Sequence, residues 1–191
     1  MGILIDSKLS FTEHIGRIVR NSYLRSFQLL RIMKTRELKT LIAVFKTYVR
    51  PLLEYASEIW NPTLKKDIDR IERVQKFFTR KVFRKCGLIH KSYKERLEIC
   101  KLKELTERRK IADLTTTFKI IKGFTSLNAG KMFIFADRSL RRPLLLREKR
   151  YKVKSKNNFF HRIVKEWNKL PVLAMEINKP NEFRGLLNAM V

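Results

Sequence analysis

Acidic residues are scarce in this chain: 18 Asp and Glu stand against 44 Lys and Arg in 191 residues, a formal net charge of +26. Solubility alone asks for only about 2 to 8 net charges in a small domain. The excess repels itself unless a polyanion neutralises it; nucleic acid is the commonest such partner and an anionic membrane surface the next. Cysteine is scarcer still. Cys86 and Cys100 are the only two, so no disulfide framework is implied and a reducing compartment, nucleus or cytoplasm, is the default. No apolar run approaches the roughly 20 residues of a membrane-spanning helix. The opening MGILIDSKLSF lacks a basic n-region and a small-residue cleavage site, so it is not read as a signal for secretion. Asp6 stands where an N-myristoylation pattern needs Ser or Thr. Gly-rich phosphate loops, a nucleophile elbow and HExxH are all missing. Nothing in the sequence builds an active site.

What is there is a mainly α pattern. Apolar residues make up 44% of the chain, too many for disorder and enough for one sizeable core or two small ones. The central stretch runs from Thr35 to Pro62. Its apolar residues Leu38, Leu41, Ile42, Phe45, Tyr48, Val49, Leu52, Leu53, Ala56, Ile59 and Trp60 recur at intervals of three and four, one face of a helix. Pro51 removes a backbone donor in mid-run, which predicts a kink rather than a break, and Asn61-Pro62 ends the run.

Around that helix the chain reads in order as follows. Gly2–Asp6 is a short β-branched run suited to a strand, although no partner strand is evident. Ser10 and Glu13 have capping-box spacing and open a helix to about Lys34, with Ile15, Ile18, Val19, Ser22, Ser26, Leu30 and Met33 inward. This helix and the central one are expected to form an antiparallel pair in a helical bundle. A third helix covers about Leu64 to Lys85, with Leu64, Ile68, Ile71, Val74, Phe78 and Val82 inward and Gly87 just past its end. Ser92 and Glu95 form a second capping box, and a longer helix follows to Lys122 with Gly123 as its stop. Asn158 caps FFHRIVKEWNKLP, and a last amphipathic turn or two covers Asn181–Met190. The expected division is a strand remnant at 1–9, a helical bundle at 10–123, a basic linker or arm at 124–157 and a helical segment at 158–191.

Two regions concentrate positive charge. On the third helix the acids Asp67, Asp69 and Glu72 lie in the first half, where local ion pairs would neutralise the basic face. Beyond Glu72 the strip carries Lys76, Arg80, Lys81 and Arg84 with no acid, which suits phosphate contacts. Between Arg138 and Lys156 nine residues are basic and only Glu148 is acidic. Arg141, Arg142, Arg150, Lys152 and Lys154 with Tyr151 read either as a backbone-tracking arm or as a disordered linker. Arg108 and Arg109 complete the candidate nucleic-acid contacts. Other constellations carry little. Phe135-Ala136-Asp137-Arg138 is a decoy of a paired-aspartate metal hairpin, because Arg138 would repel the ion. Cys86, His90 and Cys100 lack a fourth ligand and zinc-type spacing. His14 and His161 are expected at the surface or in caps, and Asp67 and Asp69 in solvent.

Several stretches nevertheless resemble one family. GILIDSKLSFTEHI, YVRPLLEYASEIWNP, IERVQKFFTRKV, YKERLEICKLKELTERRKIADLTTTFKIIKG and FFHRIVKEWNKLP are similar, in order and over nearly the whole chain, to the C-terminal portion of reverse transcriptases of non-LTR (LINE-type, jockey-like) retrotransposons. The RPLLEY run with Trp60-Asn61-Pro62, and Trp167-Asn168-x-Leu-Pro, carry most of the likeness. It implies that GILID matches the end of the palm, followed by a helical thumb and its extension that grip template–product duplex. Tyr48, Pro51, Tyr55, Trp60 and Trp167 would then be structural. The family's magnesium-binding aspartates match no position here, so the resemblance implies the family without its polymerase activity, and no cofactor. The expected function is sequence-independent binding of RNA, RNA–DNA hybrid or DNA by a non-catalytic piece of such a polymerase. The second reading is a helical interaction module whose partner is the fingers and palm or another protein chain; a translated relic without function is the third reading.

Overall fold

The computed structural model describes residues 2–7, 9–136, 144–148 and 158–190, and the protein is mainly helical over them. It divides into two compact units, Met1–Arg108 and Arg109–Val191. Among the described residues no helix is long and apolar enough to cross a membrane.

The first unit contains α1 (Thr12–Ile32), α2 (Leu38–Val44), α3 (Arg50–Glu54), α4 (Ser57–Trp60), α5 (Lys65–Lys85) and α6 (Tyr93–Cys100). Its core gathers Ile15, Leu41, Phe45, Val49, Leu53, Trp60, Ile71, Val74, Phe78 and Val82. Helix α1 begins later than its sequence predicts. Ser10 is not the cap: its N–H and hydroxyl both go to the Asp6 carboxylate, and Phe11 takes the N-cap position in the left-handed region at φ 56°. Gly2–Asp6 forms no strand. Leu4 N–H donates to Nδ1 of His14 (3.3 Å), and the Arg17 guanidinium donates to the Gly2 carbonyl. His14, expected outside, is buried and packs against the Trp60 ring at 5.4 Å.

The central stretch is several helical pieces rather than one. Between α2 and α3 the chain makes a π turn, Phe45–Val49, in which Arg50 N–H reaches back five residues to the Phe45 carbonyl. Pro51 follows at the start of α3, where its missing N–H is tolerated. The wider turn keeps Phe45, Val49 and Leu53 buried but rotates Tyr48 out to 54% exposure, so Tyr48 is not a core residue. A second interruption falls at Ala56, left-handed at φ 51°. Tyr55 is thrown out to solvent, and its carbonyl accepts from the Trp60 indole N–H at 2.9 Å.

Helix α5 ends as its glycine predicts. Gly87 (φ 75°) donates to Arg84 and Leu88 to Phe83, a Schellman closure. Lys85 turns its ammonium onto the Leu30 and Met33 carbonyls, covering the C-terminal end of α1. The Ser92–Glu95 capping box is present in α6.

The unit boundary falls within α7 (Leu105–Ile121), not after Gly123. The reason is packing: Ile111, Leu114, Phe118 and Ile120 join a second core with Ile163, Trp167, Met175 and Phe183. This second unit adds α8 (Ala129–Met132), the paired strands β1 (Ile134–Phe135) and β2 (Leu146–Arg147), α9 (Phe159–Asn168), α10 (Val172–Glu176) and α11 (Pro180–Met190). The strands are antiparallel, Ile134 opposite Arg147 and Phe135 opposite Leu146. Phe133 and Leu146 are buried, so these parts of 124–157 belong to a core rather than to a linker. The Trp167-Asn168 pair explains itself here. The Trp167 indole donates to the Leu144 carbonyl, and the Asn168 amide accepts from Leu146 N–H (3.0 Å) and donates to its carbonyl (2.8 Å). A side-chain amide thus takes the place of a neighbouring strand. Asn158 caps α9 as expected, its side chain accepting from His161 N–H at 2.8 Å.

Candidate nucleic-acid interface

The basic strip of α5 starts from spacing. Ile71, Val74, Phe78 and Val82 sink into the core, and so the residues between them, Arg73, Lys76, Arg80, Lys81 and Arg84, are exposed along the opposite side. Lys76 sits over the Tyr93 ring at 5.0 Å and Lys81 over the Phe77 ring at 5.7 Å. Both contacts lie near the outer reach of cation–π attraction and leave the ammonium heads in water.

The acids that sequence spacing assigned to this face point elsewhere. Asp67 is 1% exposed, accepts from the Thr12 hydroxyl (3.2 Å) and pairs with Arg70 (3.3 Å). Glu72 is buried as well. It accepts from Leu105 N–H (2.9 Å), Gln75 Nε2 (3.3 Å) and the Tyr93 hydroxyl. Gln75 also donates to the Tyr93 oxygen and the Lys103 carbonyl, and Thr79 receives the Arg96 Nε at 3.3 Å. Burial, then the neighbouring Glu72 carboxylate, pushes the Tyr93 phenol far above its ordinary range and keeps it a donor. With two of its three acids drawn inward, the outer face of α5 is more basic than the composition of the helix suggests. Gln75 lies four residues after Ile71 and three before Phe78, and Thr79 lies three before Val82, so their inward placement is readable from spacing. Glu72 shares no such interval with these residues and is drawn inward by Leu105 N–H and the Tyr93 hydroxyl.

The other proposed contacts fare differently. Arg108 is half-buried and makes a two-armed pair with Glu54, through Nε and, at 3.0 Å, Nη2. Its charge is already matched, so it is not a free phosphate ligand. Arg109 is 1% exposed and offers no guanidinium to a polyanion. Arg141, Arg142, Arg150, Lys152 and Lys154 lie outside the described residues, as do Asp137 and Arg138. Among the described residues no group of three or more His, Cys, Asp or Glu is placed to hold a metal ion. Burial pushes the Cys100 thiol up to about 11 and raises Cys86 too, which disfavours thiolate chemistry at neutral pH.

A segment of 123 residues, 64% of this chain, is 32% identical to an uncharacterized protein of Caenorhabditis elegans. The match spans 62% of that protein's length. No protein-family model matches the chain, and no solved structure does.

Proposed function

We propose that this chain is the thumb-type part of a non-LTR retrotransposon reverse transcriptase, and that it binds RNA, RNA–DNA hybrid or DNA without performing polymerisation itself. In this reading the first unit is an antiparallel helical bundle, bent at Pro51, that lays α5 against the nucleic-acid backbone. One observation carries it: the exposed row Arg73, Lys76, Arg80, Lys81 and Arg84, with Asp67 and Glu72 turned away from it. A row of cations on a rigid helix neutralises successive phosphates and reads no bases, so binding is largely independent of sequence. Supporting it further are the net charge of +26 and the ordered family-like motifs.

The test is a fluorescence-anisotropy titration against a blunt RNA–DNA hybrid at several salt concentrations. If about six phosphates are engaged, the log–log salt slope is roughly −4 to −5. The triple substitution Arg80→Glu, Lys81→Glu, Arg84→Glu lowers affinity for all sequences alike. A flat salt dependence overturns the proposal. A protein-interaction reading is favoured by the exposed Tyr55, Ile59 and Leu64; it requires association whose affinity hardly changes with salt.

A further inference from the structure

Beside the basic row, three rings from two helices meet at the surface of the first unit. Tyr23 and Phe27 come from α1 and Phe77 from α5; the Tyr23–Phe77 centroids are 5.3 Å apart and edge-on, and those of Phe27–Phe77 are 5.0 Å apart. Phe27 remains 55% exposed despite these contacts. A ring that only filled a core would be covered. The surroundings are cationic. The charges of Arg73 and Arg80 both act on the Tyr23 phenol, Lys81 stands over Phe77, and Arg31 lies one turn beyond Phe27 and is exposed. From Tyr23 to Arg36, and from Arg73 to Lys85, neither helix run nor its continuation contains an Asp or Glu. Bare hydrophobic surface for a protein partner needs no such cationic border, whereas a base on its phosphodiester needs both a flat apolar face and adjacent positive charge.

We infer that the Tyr23–Phe27–Phe77 cluster is a stacking platform for an unpaired nucleobase, with the flanking phosphates held by Arg73, Arg80 and Lys81. This rests on the nucleic-acid reading above and adds to it a preference: a single-stranded stretch or overhang is bound in addition to duplex backbone. Stacking on an aromatic is tolerant of base identity, because every base offers a π face.

Three ligands test it on the intact chain: a blunt RNA–DNA hybrid, the same hybrid with a single-stranded RNA overhang, and a short single-stranded RNA carrying 2-aminopurine. Phe27→Ala, at an exposed position, is expected to weaken the overhang and single-stranded ligands roughly 5- to 150-fold, the span set by losing one stacked base. It leaves the blunt hybrid unchanged, and 2-aminopurine quenching seen with the wild type disappears. Phe27→Trp keeps both affinity and quenching. If the blunt hybrid binds and Phe27→Ala alters no ligand, the stacking platform is overturned while the backbone grip stands. If the wild type binds none of the three, both readings fail together. If Phe27→Ala instead abolishes self-association with no effect on nucleic acid, the platform is overturned in favour of a protein contact.

Discussion

At the level of single residues, the polar groups that spacing places on apolar faces turn out to organise the first unit. His14 is buried as a neutral ring, and burial, then Arg17, lowers its pKa from the ordinary 6.5. The unfolded chain therefore takes up the proton first as pH falls. The stability contributed by neutral His14 is fully present above about pH 6.5 and is lost as the pH drops through the window below it. Urea midpoints of the wild type should decline across that window, and His14→Gln should flatten the decline. Tyr93→Phe removes a donor from the buried Glu72 carboxylate and is expected to cost about 1–3 kcal/mol in the same assay. In the second unit Asp113 is buried and receives Arg162 Nε and Nη2, each at 2.9 Å. Arg162→Ala leaves a buried carboxylate without that fork, and a loss of about 3–5 kcal/mol is expected by denaturant titration.

For individual elements, the interrupted stretch from α2 to α4 is the instructive case. Hydrophobic spacing found its core residues Leu41, Ile42, Phe45, Val49, Leu53 and Trp60 correctly. It could not find the extra residue of the π turn or the left-handed Ala56, because both are set by tertiary packing, such as Trp60 against His14 of α1, rather than by local preference. Tyr48 and Tyr55 face solvent as a direct result. A left-handed alanine costs roughly 1–2 kcal/mol, and glycine adopts that conformation freely at some cost in unfolded-state entropy. Ala56→Gly is thus expected to raise stability by about 0.5 kcal/mol, read as a small upward shift in the urea midpoint. A fall in that midpoint would mean the half-buried Ala56 methyl matters more than its backbone.

Over the whole molecule, charge sets the expected behaviour. A net +26 pushes the folded chain apart, so the thermal midpoint should rise as salt screens that repulsion. A polyanion that binds the folded state adds to this by mass action, about 2.7 kcal/mol at a concentration 100 times its Kd. Thermal scans in salt alone and with RNA separate the two effects, since binding weakens in the same salt that relieves repulsion.

What the sequence by itself determined is the helical character, most core positions, the caps at Ser92 and Asn158, the glycine stops at Gly87 and Gly123, and the basic row on α5. Each follows from local chemistry: a period of three to four, a side-chain oxygen before a helix, a residue free to adopt positive φ. Only the tertiary structure decided which charges are available. Asp67, Glu72, Arg108 and Arg109 look solvated in a linear string, yet a buried or paired charge is spent on its neighbours and only the packed chain reveals those neighbours. The same holds for the three rings of α1 and α5. Phe77 stands 50 residues beyond Phe27 and 54 beyond Tyr23 in sequence, and no local signal brings it against them until the two helices pack.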